Sequence, residues 1–254
     1  MIRFTLNPRY ADTLRAFGLD NYQNISTTQL GEVLEANQKR DTRRLTLGSE
    51  VFYLKRTKTE KISSAIEHML LGHIPHSKPY IEMQHIQFLQ HANINTMEVV
   101  ACGEHTQFGI PRGGFILSRQ VPGMEGEAHF QQADETQQLK LCKAFGELTG
   151  QLHSKGFFAS TRLKDVFCQY DANNNISFTL IDRETRNPHP KKFTLARAAK
   201  SLAASFKRQS RDGSSYTAAQ QQAFISGYHH TIQLNNTISQ QQLLAAINTA
   251  SNKA

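Results

Sequence analysis

Three charged side chains, far apart along the chain, can do chemistry on a phosphate: Lys55, Glu82 and Asp182. Lys55 closes the alternating stretch EVFYLKR (50–56), whose neighbours Phe52 and Leu54 are expected to anchor opposite faces. A lysine there either meets phosphate oxygens as a compact point charge or is a solvated strand end. Glu82 falls in YIEMQHIQFLQHA (80–92), where Ile81, His85, Phe88 and Leu89 have helical spacing. It can pair with Lys55 and fix its direction, or lie at the surface. Asp182 ends the apolar run TLID. A carboxylate in that position is costly to bury unpaired. Mg²⁺, which takes one or two carboxylates together with phosphate oxygens, would satisfy it; an N-cap role for the following turn competes. Arg186, four residues on, can meet an anionic substrate or point into solvent. One more carboxylate, Asp165, stands beside Lys164 in GFFASTRLKDVFC (156–168).

The elements that must position these groups divide in two. The first part reads as short strands: GEVLEA (31–36), RRLTLG (43–48) and EVFYLKR, with Gly48-Ser49 as a tight turn. A helix follows over 61–71, with Ile62, Ile66, Met69 and Leu70 on one face, broken by Pro75 and Pro79. After the helix that carries Glu82, TMEVVACGE (96–104) and GGFILSRQV (113–121) form another strand pair, and Pro122-Gly123 ends the region. The second part is mainly helical. Residues 137–156 set Leu141, Phe145, Leu148 and Leu152 on one stripe, with Gly156 as the C-terminal stop. ISFTLID (176–182) is a short strand after the turn DANNN, two further helices follow, and the Gln/Asn-rich tail after about residue 238 is expected to be loose. The class is α+β, with a strand-rich N-terminal lobe over 1–121 and a helical C-terminal lobe over 122–254.

A chain of 254 residues with 39% hydrophobic content supports one large domain or two small lobes. Cys102, Cys142 and Cys168 are far apart and form no C-x-x-C pair, which excludes a disulfide framework and a zinc site and suits a reducing compartment. No apolar segment of signal-peptide or membrane-spanning type is present, so a cytoplasmic protein is expected. The net charge of +8 and pI of about 9.5 suit an anionic partner: nucleic acid, acidic lipid headgroups or a phosphorylated small molecule. Solubility alone would also account for it. Lys and Arg gather at 39–44, 55–61 and 191–212 without any RNA-binding motif, so nucleic acid is the weakest of these partners. The histidines at 73, 76, 85, 91 and 105 have no ligand spacing, and His153 reads as a backbone brace.

The order of these features matters more than any one of them. A strand lysine, a helix glutamate, an amphipathic helix ending L-H-x-x-G, a loop, and an apolar strand ending in Asp is similar to the protein-kinase plan. More closely, LGEVLEANQKRDTRRLTLGSEVFYLKR resembles the first lobe of the bacterial lipopolysaccharide core kinases, which include the heptose kinases and the Kdo (ketodeoxyoctonate) kinases. PYIEMQHIQFLQHANINTMEVVACGE resembles their glutamate helix and the strand after it, GGFILSRQVPG their hinge, and TLIDRETR their metal-binding strand. The resemblance covers about residues 30–230. It implies a bilobal kinase-like fold, ATP with Mg²⁺, Lys55 and Glu82 at the nucleotide, Asp182 on the metal, and an inner-core sugar hydroxyl of heptose or Kdo as acceptor. That acceptor would be carried on core oligosaccharide or a lipid-linked precursor, at an anionic inner-membrane surface that a basic protein suits. Arg186 and Lys164 would contact the substrate.

The chain departs from that pattern in two places. No G-x-G-x-x-G precedes Lys55, so the turn near Glu35–Asp41 would have to cover the phosphates. The His-Arg-Asp triplet expected after LHxxG becomes Ala159-Ser160-Thr161, and the second metal ligand becomes Val166. Threonine holds its proton too tightly to act as a base near pH 7, and valine binds no cation. Two readings follow. In one, Asp165 and Lys164 take over, because phosphoryl transfer depends mostly on positioning and charge neutralisation. In the other, the chain is a pseudokinase that keeps Lys55, Glu82 and Asp182 and binds nucleotide or a partner. A basic scaffold for nucleic acid or a membrane surface is the third and weakest reading.

Overall fold

The computed structural model describes residues 1–70, 72, 74–181, 189–211, 215–233 and 238–252; within these, the side chains at 64, 67, 68 and 233 are left out of the description. The described residues fall into two compact units. The first comprises those of 1–87 and 97–121, the second those of 88–96 and from 122 on.

The first unit is built on an antiparallel six-stranded sheet. Its strands are β1 (Ile2–Leu6), β2 (Glu32–Ala36), β3 (Arg40–Leu47), β4 (Glu50–Thr57), β5 (Val99–Gln107) and β6 (Ile110–Arg119), in the order β1-β5-β6-β4-β3-β2. The β3–β4 hairpin turns at Gly48, whose φ of +65° suits glycine. One sheet face is covered by the N-terminal segment: a 3-10 turn at Pro8–Tyr10, then α1 (Ala11–Ala16) and α2 (Tyr22–Thr27). Tyr10, Leu14, Leu19 and Ile25 from this segment join Leu45, Leu47, Phe52, Leu54, Phe115 and Leu117 from the sheet in one apolar core. Phe52 and Leu54 therefore share a face rather than anchoring opposite ones, as their spacing of two residues on a pleated strand requires. Polar groups complete the same face. Asp41 is gripped by Arg56 and Arg43, and those guanidinium groups also donate to the carbonyls of Thr28 and Gln29 at 2.7 Å each, fastening the end of the N-terminal segment to the sheet. Burial alone would raise the Asp41 pKa; the bonds and charge of Arg56, with help from Arg43, hold it below its ordinary value instead.

The helices α3 (Ile62–Leu70) and α4 (Lys78–His91) follow β4. Pro79 does not break a helix; it lies in the first turn of α4, where its missing N–H costs nothing. α4 is held to the other sheet face by Cys102 Sγ, which donates to the Pro79 carbonyl, and by Thr5 Oγ1, which donates to Met83 Sδ, both at 3.7 Å.

In the second unit, β7 (Met124–Glu125) and α5 (Gly126–Gln132) lead into the long α6 (Glu135–Ser154). Its start is a reciprocal capping box between Asp134 and Gln137, and its end is marked by Gly156 at φ +89°. Leu141, Phe145, Leu148 and Leu152 are buried, as their stripe predicts. A three-stranded sheet, β7-β8-β9, is completed by β8 (Val166–Tyr170) and β9 (Ile176–Leu180). The helices α7 (Leu195–Arg211), α8 (Ala218–Gln233) and α9 (Gln240–Ser251) complete the unit. α6 and α8 approach closely because Gly146 and Gly227 face each other's helix; a Cβ at either would strike the carbonyl of Phe224 or of Lys143. The tail expected to be loose is helical. Ser239 and Gln242 form a capping box, and Leu243 and Ile247 are buried on the core.

Candidate functional site

Strand alternation decides where Lys55 goes. Phe52, Leu54 and Arg56 serve the face covered by the N-terminal segment, so Lys55 points to the α4 side. There its Nζ lies 3.3 Å from Glu82 Oε1, across 27 residues of sequence. Glu82 is 6% exposed, and the Lys55 side chain is 34% exposed. A buried carboxylate thus fixes the ammonium head of a lysine whose side chain stays about one-third exposed. That geometry suits an ammonium that must meet phosphate oxygens at a set position. β4 supports it from both sides, Lys55 standing opposite Thr42 of β3 and Ile116 of β6.

The turn expected to cover the phosphates is a tight Asx turn. Asn37 Oδ1 accepts from the backbone N–H groups of Lys39 and Arg40, each at 2.9 Å. Those donors are spent inside the turn, whereas a glycine-rich loop would aim such groups at a ligand.

The loop after α6 lies wholly in the second unit and is clamped by side chains from α7. Ser205 Oγ accepts from Thr161 N at 3.2 Å, Arg208 donates to Ser160 Oγ at 2.7 Å, and Gln209 Oε1 accepts from Leu163 N at 3.3 Å. Gln209 is anchored in turn on Glu127 at 2.6 Å. The Thr161 hydroxyl is buried and donates to the Ala159 carbonyl. Val166 begins β8 with its side chain in the core, so that position serves packing.

Asp165 ends a 3-10 turn at Leu163–Asp165 and is 5% exposed. Arg162 surrounds it: Oδ2 accepts from the Arg162 backbone N–H at 2.9 Å and from Nε at 3.1 Å, and Oδ1 accepts from Nη2 at 2.8 Å. A carboxylate offers about four lone-pair positions, and three are filled. The Asp165 carbonyl accepts from Ile181 N at 3.0 Å, continuing the β8–β9 pairing past Val166–Leu180 to the residue before Asp182. Asp182 and Arg186 themselves lie outside the described residues. Lys164, on the same 3-10 turn, is half-buried. Among the described residues, no three His, Cys, Asp or Glu side chains gather as a metal site.

His153 braces helices. Its Nδ1 bonds the Tyr228 hydroxyl at 2.9 Å and its Nε2 the Ser201 hydroxyl at 3.0 Å, tying α6 to α8 and α7. Burial pushes the Tyr228 phenol well above its usual range. Sequence reasoning missed the clamp formed by Arg162, Ser205, Arg208 and Gln209. The only signal for it was the R-L-K-D spacing, which sets an arginine and an aspartate three residues apart, as on one helical turn.

The model of the lipopolysaccharide kinase (Kdo/WaaP) family matches residues 23–228. A solved structure described as WaaP in complex with acyl carrier protein has a TM-score of 0.65 and 17% identity, over 99% of this chain and 98% of that one. An aminoglycoside-3'-phosphotransferase of type VIII has a TM-score of 0.51 and 12% identity, over 95% and 98%. The fold is therefore kinase-like. No curated protein matches the sequence.

Proposed function

Because this chain belongs to the lipopolysaccharide kinase (Kdo/WaaP) family, we propose that it is an ATP-dependent kinase that phosphorylates a heptose or Kdo hydroxyl of the lipopolysaccharide inner core. The observation that carries the reading is the Lys55–Glu82 ion pair, a buried acid holding a half-exposed ammonium at the face of a central strand. Lys55 holds phosphate oxygens of the nucleotide, and Glu82 keeps its head from swinging. Asp182 is the residue that would hold Mg²⁺, which when bound neutralises charge on the phosphates. Arg186 and Lys164 would contact the anionic acceptor. The acceptor is carried on core oligosaccharide or a lipid-linked precursor, and in the lipid-linked form it would bring the protein to an anionic inner-membrane surface on the cytoplasmic side. No described helix is long and apolar enough to cross a membrane.

The second reading, a pseudokinase, is favoured by the loop. Asp165 is engaged by Arg162, and Thr161 is buried and bonded to its own turn, so neither presents a base to an acceptor hydroxyl. WaaP is described in complex with acyl carrier protein; a carrier-protein partner for this chain belongs with this second reading.

The experiment has two arms. A thermal shift with ATP and Mg²⁺ is expected for the parent and absent from Lys55→Ala. Labelled phosphate is expected to pass from ATP to purified core oligosaccharide. A nucleotide shift without transfer supports the pseudokinase, and the absence of both signals defeats the kinase reading.

A further inference from the structure

The apolar stripe that makes α3 legible in the sequence is left in water. Among the described side chains of this helix, Ala65 is the buried one, and the helix rests on β6. Ile62, Ile66, Met69 and Leu70 face outward, Leu70 at 83% exposed, and Ile74 just beyond the helix is 69% exposed. At helical spacing the four residues of α3 fall within a sector of about 100°, the width that other helices bury. Folding leaves about half of Ile62, Ile66 and Met69 and most of Leu70 in contact with water.

A second oddity lies in the β5–β6 turn. Phe108 has φ +52° and Gly109 φ +75°, the pair of left-handed residues that favours Asn-Gly. A bulky aromatic is a poor choice for that backbone, and Phe108, 91% exposed, touches no core that would compensate. The strand leaving this turn is the one on which α3 rests, and Glu60 N, two residues before α3, donates to the Arg112 carbonyl on it at 3.3 Å. Lys58, Lys61 and Lys78 are exposed around α3. The acids in the segment are Glu60, whose carboxylate is taken by Lys78 N at 2.7 Å, and Glu67.

We propose that this face of the first unit, the α3 stripe and the Phe108 turn within a frame of lysines, inserts into the headgroup layer of an anionic bilayer. The inference rests on the lipid-linked acceptor of the proposed function and adds the surface that reaches it. The most exposed apolar residues stand at apices, at the end of a helix and at the tip of a hairpin. Separate protruding anchors set among cations fit a fluid lipid interface better than a partner's shaped groove. The charge is complementary: a chain of net +8 with lysines at the insertion point is drawn to acidic headgroups.

The test is co-sedimentation of the full chain with phosphatidylglycerol–phosphatidylethanolamine vesicles, against phosphatidylcholine vesicles. Binding is expected to the anionic vesicles alone and to weaken with salt. Leu70→Gln and Phe108→Asn are each expected to lower partition about tenfold, and Lys58→Gln with Lys61→Gln to lower it several-fold and flatten the salt dependence. Asparagine suits the left-handed turn, so the Phe108 variant keeps its melting temperature and its loss of binding cannot come from misfolding. Equal binding to neutral vesicles, or unchanged partition in both apolar variants, overturns the proposal. So does capture of purified acyl carrier protein by this face without vesicle binding. Phosphate transfer to delipidated core oligosaccharide is expected to be unchanged in these variants. A parent that transfers phosphate but ignores vesicles refutes this inference and leaves the kinase reading standing; vesicle binding without a nucleotide shift does the reverse.

Discussion

Replacing Asp165 by asparagine separates a structural carboxylate from a catalytic one. In the fold, Asp165 accepts three hydrogen bonds from Arg162, two of them from the guanidinium. Removing one member of a buried ion pair costs about 3–5 kcal/mol when the survivor stays dry. Arg162 is 23% exposed on its side chain, so water recovers part of that loss, and the asparagine oxygen can still accept the backbone N–H. A net cost of about 2 kcal/mol remains. For a chain of this size, that lowers the melting temperature by roughly 4–8 °C. Differential scanning fluorimetry measures it, and phosphate transfer is followed on the same preparation. Arg162→Met supplies the cycle: the double variant should lose less than the sum of the two single ones, because each alone breaks the same contact. A base projecting at an acceptor would behave in the opposite way, with an unchanged melting temperature and a rate lower by about 10²–10⁴. If Asp165→Asn melts within about 1 °C of the parent, the clamp is not what holds this turn.

Two further measurements bear on the scaffold. His153→Phe leaves the Tyr228 and Ser201 hydroxyls without their shared partner; at about 1–3 kcal/mol for each buried group, the urea midpoint should fall clearly. Stability should also fall on the acid side. Asp41 and Glu104 are buried, which alone would raise their pKa values, but Arg56 and Arg43 for the first, and His76, Ser77 N–H and Arg3 for the second, hold them below the ordinary 3.8 and 4.5. The stability they contribute is complete above those ordinary values and is lost as pH falls through the lowered ones. Thermal melts from pH 6 to pH 3 should show this loss, and Glu104→Gln should start lower and flatten the acid limb.

Wherever a period was long enough to read, the sequence anticipated the structure. The stripe of α6, its Gly156 stop, the β3–β4 hairpin and the glutamate helix all follow from spacing and turn chemistry. The Lys55–Glu82 pairing was legible only as a possibility of order, since 27 residues of chain carry no distance information. Three things were illegible for physical reasons. The N-terminal cover is short and irregular, so its burial depends on a sheet formed later in the chain. The helix over 240–251 was hidden by its glutamine-rich composition, although its Ser-x-x-Gln capping box was visible in the letters. The clamp on the loop after α6 comes from α7, about 45 residues downstream, and contacts of that range leave no mark on local pattern.

β1 has its register with β5, Ile2 lying opposite His105. During synthesis, the opening segment therefore leaves the ribosome roughly a hundred residues before the surface it covers is complete. Tyr10, Leu14, Leu19 and Ile25 must wait, solvated or shielded by a chaperone, until the strands around Phe115 and Leu117 emerge. The nascent chain is most exposed to misassembly in that interval. A truncation cut to the family match, which begins at residue 23, would discard Tyr10, Leu14 and Leu19 and uncover part of this apolar face.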